Sequence, residues 1–412
     1  MAITSDTRGA FGLPGLGRIL FATMALGLGT YATMLSFAMA VRQPATDLAR
    51  RLAPGSARVL ALRAEKLAAG TVDKAKWNAA AGLARRALMR DPLLPSAAAT
   101  LGLEAGLRGD DEAARRAFQY SQMVSRRDLR THLWAIEYAV SRDDVAGALR
   151  SYDVALRTSR RAPDILFPIL ATALSDETIR KAIISTILKL PAWAPSFINY
   201  VANTAPDHRA AATLFGALSS RGYRFPEGAE ASLLGALASS RDYVTADRYL
   251  ALKGGRASRQ WSRHPSFAGN PATPSPFDWN AQNDVGVASS IQPDRQGEMF
   301  AFSSVPGAGG AALRQLQLLP PGRYEIVSRL SALNPVHAVP SWTIQCVDGP
   351  EVARLPLRPT PGGAPISNGR FTINAGCKAQ WLTLMVTPND APGGVAGELS
   401  FAQIRPVQEA GR

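Results

Sequence analysis

An uncharged stretch of 23 residues decides the N-terminal part of the fold: residues 19–41 read ILFATMALGLGTYATMLSFAMAV. A helix of this length, at 1.5 Å per residue, crosses the hydrocarbon core of a bilayer, which is about 30 Å thick. We therefore predict a transmembrane anchor at 19–41, preceded by a short tail at 1–18. A cleaved signal peptide is the alternative, because Arg8 and Arg18 precede the stretch and Ala38-Met39-Ala40 has the small-x-small form of a cleavage site.

Under either interpretation the rest of the chain is exported. We therefore expect a single-pass protein of the inner membrane with its bulk in the periplasm. One observation opposes this topology. Five arginines follow the stretch and outnumber the two before it, which by the positive-inside rule would keep the large domain in the cytoplasm: Arg42, Arg50, Arg51, Arg58 and Arg63. The rule weakens for long translocated domains, and we give it less weight for that reason.

The positive charge lies mainly in the first part of the chain. The whole sequence carries a formal charge of +14, of which +12 belongs to residues 1–256 and +2 to residues 257–412. Arginine pairs recur at Arg85-Arg86, Arg115-Arg116, Arg126-Arg127 and Arg160-Arg161. They indicate either a solvated basic face or attraction to anionic lipid headgroups or an acidic polysaccharide. No recognised nucleic-acid-binding motif accompanies them, so nucleic acid is not an expected partner.

Residues 44–253 are predicted to form helices, and part of this region repeats. A 34-residue frame starting at Ala61 aligns small residues and one large residue in helical pairs, for example Gly102 and Phe118. This spacing resembles the tetratricopeptide repeat, which implies an α-solenoid whose concave surface binds protein partners. A chance alignment of an Ala-rich helical region is the alternative.

The sequence pattern changes from helical to strand-like after a predicted linker at 254–276, which is rich in Gly, Ser, Pro and Arg. Residues 277–408 contain about eight short strand-like segments separated by Pro-Gly turns. These segments are 277–279, 298–302, 313–319, 324–330, 342–347, 370–373, 381–386 and 397–404. They predict an antiparallel β-sandwich or jelly roll, so the fold class is multidomain α plus β.

The two cysteines, Cys346 and Cys377, both lie in this β domain. Such a pair indicates one disulfide and an oxidising compartment, and two unrelated buried thiols are the alternative. Two cysteines without a nearby His pair do not make a zinc site, so we predict no metal.

Strand parity selects the candidate contact residues of the β domain. Leu382, Leu384 and Val386 alternate with Trp381 and would face the core, which turns Trp381 outward. An outward Trp can stack on a sugar ring, and Arg323 and Arg329 are candidate polar partners. Packing of Trp381 against the helical domain is the alternative.

The segment LPPGRYEI at residues 319–326 resembles the Pro-Gly-x-Tyr strand start of carbohydrate-binding-module-like β-sandwiches. With the Phe277-Asp278-Trp279 motif and the helical repeat, the whole chain resembles membrane-anchored tetratricopeptide proteins associated with bacterial exopolysaccharide production. The resemblance implies partners in polysaccharide assembly or export machinery and contact with the polysaccharide. No ligand residue is implied by it.

No catalytic residues or cofactor are predicted. The four histidines lie in unrelated contexts, and the pairs Asp110-Asp111 and Asp143-Asp144 stand where aspartate caps a helix. The glycine-rich segment 307–310 lacks the Lys and Ser or Thr of a phosphate loop. We expect a non-enzymatic membrane-anchored scaffold. A general envelope scaffold with a structural β domain and an unrecognised polysaccharide-modifying enzyme are the alternatives.

Overall fold

The computed structural model describes residues 15–70, 73–254, 260–295, 297–359 and 364–407. Most of the tail predicted at 1–18 therefore lies outside the described residues. The described chain divides into two compact units after Ala162.

Among the described residues, the first unit contains eight helices. They are α1 (Gly15–Val41), α2 (Thr46–Leu52), α3 (Ala57–Ala68), α4 (Lys74–Arg90), α5 (Pro95–Leu107), α6 (Asp111–Val124), α7 (Leu129–Val140) and α8 (Val145–Thr158). Helix α1 is long and apolar enough from Leu20 to Val41 to cross a membrane, although a signal sequence has the same length and composition. Its side chains are exposed from Leu20 to Met34. Nearer its C-terminal end, Leu35 and Met39 are partly buried and Ala38 is fully buried.

The end of α1 belongs to the folded unit. Ala38 is fully buried together with Ala49 of α2, and the partly buried Leu35 and Met39 pack on the same cluster. Alanines at this contact let the two helix backbones approach closely, so α1 and α2 pack along each other across the short turn 42–45.

Helices α3 to α8 form three successive hairpins, α3/α4, α5/α6 and α7/α8. Aspartate caps the second helix of each hairpin: the carboxylates of Asp73, Asp110 and Asp144 accept backbone hydrogen bonds from Ala75, Ala113 and Gly147. This confirms the capping role predicted for Asp110 and for one member of the Asp143-Asp144 pair. Gly102 and Phe118 meet inside the α5/α6 hairpin.

Six further helices precede the β domain: α9 (Ala162–Ala173), α10 (Glu177–Ile187), α11 (Ala194–Thr204), α12 (His208–Ser219), α13 (Ala229–Ser239) and α14 (Tyr243–Gly254). The second unit contains these helices together with the β domain, apart from Ala162 at the start of α9. The domain boundaries predicted from sequence stay a prediction.

The β domain is a sandwich of two five-stranded antiparallel sheets. Its strands are β1 (Asn280–Ala281), β2 (Val287–Asp294), β3 (Gly297–Ser304), β4 (Gly310–Gln317), β5 (Gly322–Asn334), β6 (Ser341–Cys346), β7 (Glu351–Pro356), β8 (Ile366–Ile373), β9 (Gln380–Val386) and β10 (Val395–Pro406). Sheet A has the strand order β1-β4-β9-β6-β7 and sheet B the order β2-β3-β10-β5-β8. Aromatic and branched side chains from both inner faces fill the core, including Trp279, Phe300, Trp342 and Ile344. The predicted α plus β fold class is confirmed.

The segment 260–276 is built into the sandwich. Phe267 is fully buried in its core, and the backbone amide of Ala402 donates a hydrogen bond to the carbonyl of Pro265. The amide of Ile404 donates to the hydroxyl of Ser262. Residues 260–276 belong to the stretch predicted as a linker, and these contacts attach them to β10. Residues 255–259 of that stretch lie outside the described residues.

Candidate functional site

The predicted disulfide is present. It joins Cys346, at the end of β6, to Cys377 in the turn before β9, with a Cα–Cα distance of 5.5 Å. A disulfide of this kind persists in an oxidising compartment, which favours an extracytoplasmic location for the β domain.

Trp381 lies on the outer face of sheet A. Leu382, Leu384 and Val386 of the same strand are buried in the sandwich core, as the alternation predicts, and Trp381 is half-buried on the other side. The strand register aligns Trp381 with Leu316 of β4 and with Gln345 of β6. These three side chains therefore form one row across the sheet.

Exposure increases along this row. Leu316 is buried and lines a small cavity together with Trp261, Phe277 and Leu250 of α14. Gln345 at the other end is exposed, and Trp381 stands between them. Trp381 thus lies at the border between a covered part and an open part of the outer face. The open part also carries Met385 and the exposed Arg354.

The next row places an arginine against Trp381. Arg314 of β4 is aligned with Thr383, and its guanidinium carbon lies 3.6 Å from the centroid of the Trp381 ring. An arginine stacked on indole at this distance gains a cation–π attraction, which grows as water is removed.

Arg314 has no acidic partner in the described part of the chain. Its Nε atom is buried and lacks a hydrogen-bond partner among the described residues. Burial lowers the pKa of the Arg314 guanidinium from its ordinary value. Since a partly dehydrated guanidinium without an acceptor is costly, the remaining donors of Arg314 are suited to hydroxyl or carboxylate oxygens of a ligand.

The other two predicted contact residues lie on the opposite sheet. Arg323 and Arg329 belong to β5 of sheet B and alternate with the buried Tyr324, Ile326 and Leu330, apart from a register shift after Ile326. Their side chains therefore point to the outer face of sheet B, and the structure does not bring them together with Trp381. Arg323 is exposed, and the buried Nε atom of Arg329 has no hydrogen-bond partner among the described residues.

Sequence reasoning missed Arg314. Parity marks it as outward, because Leu313 before it is buried in the core. Its position next to Trp381, however, depends on the pairing of β4 with β9, which strand periodicity does not specify.

The Phe277-Asp278-Trp279 motif has a structural role. Trp279 is fully buried and its indole N–H donates to the carbonyl of His264. The Asp278 carboxylate accepts hydrogen bonds from the amide and hydroxyl of Ser275. Burial opposes ionisation of Asp278, but the contacts of His264 and Ser275 and the charge of Arg263 outweigh it, so its pKa lies below its ordinary value.

A cleft of about 470 Å³, lined by both apolar and charged side chains, lies next to this motif in the second unit. Glu230 in its wall binds the ammonium of Lys253 at 2.6 Å and accepts a hydrogen bond from the Tyr249 hydroxyl. Asp278, on another side of the cleft, lies 3.4 Å from Arg263 Nε. Both carboxylates are thus engaged by cations of the chain itself. Among the described residues, no group of three or more His, Cys, Asp or Glu side chains is placed to hold a metal ion.

The first unit has a groove of about 780 Å³ between α6, α7 and α8. Trp134 and Tyr138 line it and continue a ring stack that starts at Phe118, with centroid distances of 4.4 and 4.9 Å. Gln119, Gln122 and three arginines complete its walls. Aromatic rings flanked by arginine are typical of protein-binding surfaces.

No known protein family matches the sequence, and no curated protein is significantly similar to it. Among solved structures, TmCBM61 in complex with β-1,4-galactotriose is similar at 16% identity and a TM-score of 0.25, over 36% of this chain and 100% of that chain. The enzymatically active domain of tailspike protein 4 from bacteriophage CBA120 is similar at 13% identity and a TM-score of 0.22, over 31% of this chain and 19% of that chain. Both TM-scores are below 0.5, and neither likeness decides the fold or the ligand of this protein.

Proposed function

We propose that this protein is a non-enzymatic, membrane-anchored binding protein that holds a polysaccharide on the outer face of sheet A. The observation that carries the proposal is the Arg314–Trp381 pair, in which an arginine without an acidic partner is stacked on a half-buried indole. Aromatic faces stack on sugar rings, and free guanidinium donors bind sugar hydroxyls and, more strongly, uronate carboxylates.

The anchor is α1. A cleavage after Ala40 would remove Leu35 and the fully buried Ala38 from the cluster with α2, and would expose Ala49. The structural integrity of the first unit therefore supports retention of α1. The helical hairpins would bind partners of the polysaccharide assembly or export machinery at the inner membrane, with Trp134 and Tyr138 in the groove between α6 and α8 as the candidate contact.

The test is a binding titration of the full chain in nanodiscs against a uronate oligosaccharide and a neutral oligosaccharide of equal length. We expect saturable binding that weakens at least tenfold in Trp381→Ala and is largely kept in Trp381→Phe. Arg314→Gln is expected to weaken binding of the uronate more than that of the neutral sugar, because only the former loses a charge pair.

Arg354→Gln is the matched control, because Arg354 lies on the same outer face but already pairs with Glu351 at 2.7 Å. Its affinity should equal that of the wild type. If the wild-type chain shows a native melting curve but binds neither oligosaccharide, the polysaccharide-binding role is wrong.

A general envelope scaffold is the second candidate. It is favoured by the buried end of the row at Leu316, which lines a small cavity with Leu250 of α14 and Trp261. In that case Trp381→Ala would lower the melting temperature and leave every glycan titration flat.

A further inference from the structure

Four successive turns form one edge of the first unit. The helical hairpins begin and end there, at residues 53–56, 91–94, 125–128 and 159–161, which we call the arginine edge. Hydrogen bonds join neighbouring turns: the Arg90 guanidinium donates to the carbonyl of Gly55 at 3.1 Å, the Tyr120 hydroxyl to that of Pro92 at 3.0 Å, and the Thr158 hydroxyl to that of Arg126 at 3.0 Å. The edge is therefore continuous.

The edge is strongly basic. Nine exposed arginines lie on it or within three residues of it: Arg50, Arg51, Arg58, Arg90, Arg126, Arg127, Arg157, Arg160 and Arg161. Within the described residues, Arg157 pairs with Asp153 and the other eight make no ion pair, whereas twelve other arginines do. The two aspartates of the edge are occupied: Asp91 accepts from the amide of Leu93, and Asp128 caps α7 and contacts Arg130.

A repeated motif presents these charges. Ser125-Arg126-Arg127 and Ser159-Arg160-Arg161 stand 34 residues apart, and each serine ends a helix. The hydroxyl of Ser125 accepts from the amide of Arg127, and that of Ser159 from the amide of Arg161. The same local turn thus carries both arginine pairs in two successive hairpins.

The opposite edge lacks this excess of positive charge. Its turns at 108–110 and 141–144, with the first residue of α6, contain Asp110, Asp111, Asp143 and Asp144 and two arginines, and Asp73 in the described part of its third turn is followed by Lys74 and Lys76. We call it the acidic edge, because aspartates cap the helices that start there.

Helix α1 leaves the unit on the basic side. Lys66, near the end of α3, donates to the carbonyl of Gln43, so α2 begins beside the end of α3 and ends at the arginine edge. Helix α1 packs along α2 in the opposite direction, with Leu35 to Val41 in the cluster around Ala49 and Ala53. Gly15 to Met34 therefore extend past the arginine edge, and the 16 uncharged residues 19–34 among them span about 24 Å at 1.5 Å per residue.

Apolar side chains accompany the arginines. Met89, Leu93 and Met123, at or next to the edge, are between 72% and 78% exposed. Basic residues interspersed with exposed apolar ones are the composition of surfaces that lie in the headgroup region of a bilayer.

We propose that the arginine edge lies on the bilayer that α1 crosses, with its arginines on anionic headgroups and Leu93 among the lipids. The placement rests on α1 being kept as an anchor, as proposed above. In this placement the first unit stands edge-on to the membrane, and its acidic edge faces away from the lipids.

The test uses the full chain in nanodiscs of phosphatidylcholine alone or with 30% phosphatidylglycerol, both with a nitroxide on some headgroups. A fluorophore is attached at Met123→Cys on the arginine edge, or at Val140→Cys, which is 60% exposed at the end of α7 on the acidic edge. The two native cysteines are bonded and do not react. We expect quenching at position 123 at least threefold stronger than at 140, and stronger still with phosphatidylglycerol.

The decisive variant replaces Arg126, Arg127, Arg160 and Arg161 by Gln and should lower quenching at position 123 at least threefold in phosphatidylglycerol discs. Its control carries the same loss of charge away from the edge, at the exposed Lys74, Lys76, Arg116 and Arg142, and should match the wild type. Equal quenching at 123 and 140, or no effect of the decisive variant, overturns the proposal.

Loss of quenching at 123 on addition of a soluble polyuronate would also overturn it, because the arginines would then serve an acidic polysaccharide. A chain that fails to enter the discs overturns the anchor and the placement together. Glycan binding at Trp381 is measured separately and can fail without affecting this result.

Discussion

At Gly102, a single hydrogen atom in place of a side chain lets α5 and α6 pack closely. A Cβ atom there would lie 2.7 Å from the Phe118 ring, which is fully buried and stacked on Trp134. We expect Gly102→Ala to lower the free energy of unfolding by about 1–3 kcal/mol, because the ring must move within a packed core. Thermal unfolding of the full chain, followed by circular dichroism, measures it.

Gly82 provides the matched control. It is also inside a helix, α4, but no atom lies within 4 Å of its added Cβ. Gly82→Ala should therefore raise stability by about 1 kcal/mol through helix propensity alone. Equal effects of the two substitutions would contradict the close contact at Gly102.

Asp278 should make the β domain acid-sensitive. Its folded-state pKa lies below the ordinary value of 3.8, so its contribution to stability is full above that value and is lost as the pH falls through the folded pKa. Asp278→Asn is expected to cost about 2 kcal/mol at pH 6, since hydrogen bonds to a charged group are lost. The difference from the wild type should shrink below about pH 4.

Denaturant unfolding between pH 2.5 and pH 6 tests this. Asp390→Asn is the control, because Asp390 is exposed, and it should follow the wild type at every pH. A difference between Asp278→Asn and the wild type that is constant with pH would exclude an ionised Asp278 as the cause.

At the scale of elements, the disulfide ties the end of β6 to the turn before β9. It closes a loop with a sequence separation of 31 residues, for which the chain-entropy model gives about 3–4 kcal/mol. The double variant Cys346→Ser, Cys377→Ser should therefore melt at a lower temperature than the wild type. Calorimetry with and without a reductant measures the effect.

The reductant is an internal control, because the chain has no other cysteine. It should lower the melting temperature of the wild type to that of the double variant and leave the double variant unchanged. A wild type insensitive to a reductant under denaturing conditions would speak against the bond.

At the scale of the whole molecule, we expect the mature protein to keep α1. Its apolar helix continues without interruption through Ala38-Met39-Ala40, and Ala38 is buried against α2. Intact-mass measurement of the protein purified from membranes should give the full-length chain. A mass equal to that of a chain starting at Val41, found in a protein that stays soluble without detergent, would favour the signal-peptide alternative.

Features that depend on local pattern could be predicted from the sequence. The length of the apolar stretch gave α1, aspartates marked helix starts, and alternation identified the strands in the middle of the sheets and the inward set around Leu382. The segments 287–294 and 351–356 were not among the strands expected. They form β2 and β7, edge strands with a partner on one side only and few buried side chains, so their pattern is weak.

Which residues share a surface could not be predicted, because it depends on how distant segments pack in the fold. Trp381 and Arg329 lie in strands of similar pattern, yet β9 and β5 belong to different sheets, and Trp381 is instead next to Arg314. The pairing of distant strands depends on how the faces of the two sheets pack together. The alternation of residues along one strand does not specify which strand lies next to it. The arginine edge arises in the same way, because the stacking of hairpins brings together arginine pairs that the sequence keeps a full repeat apart.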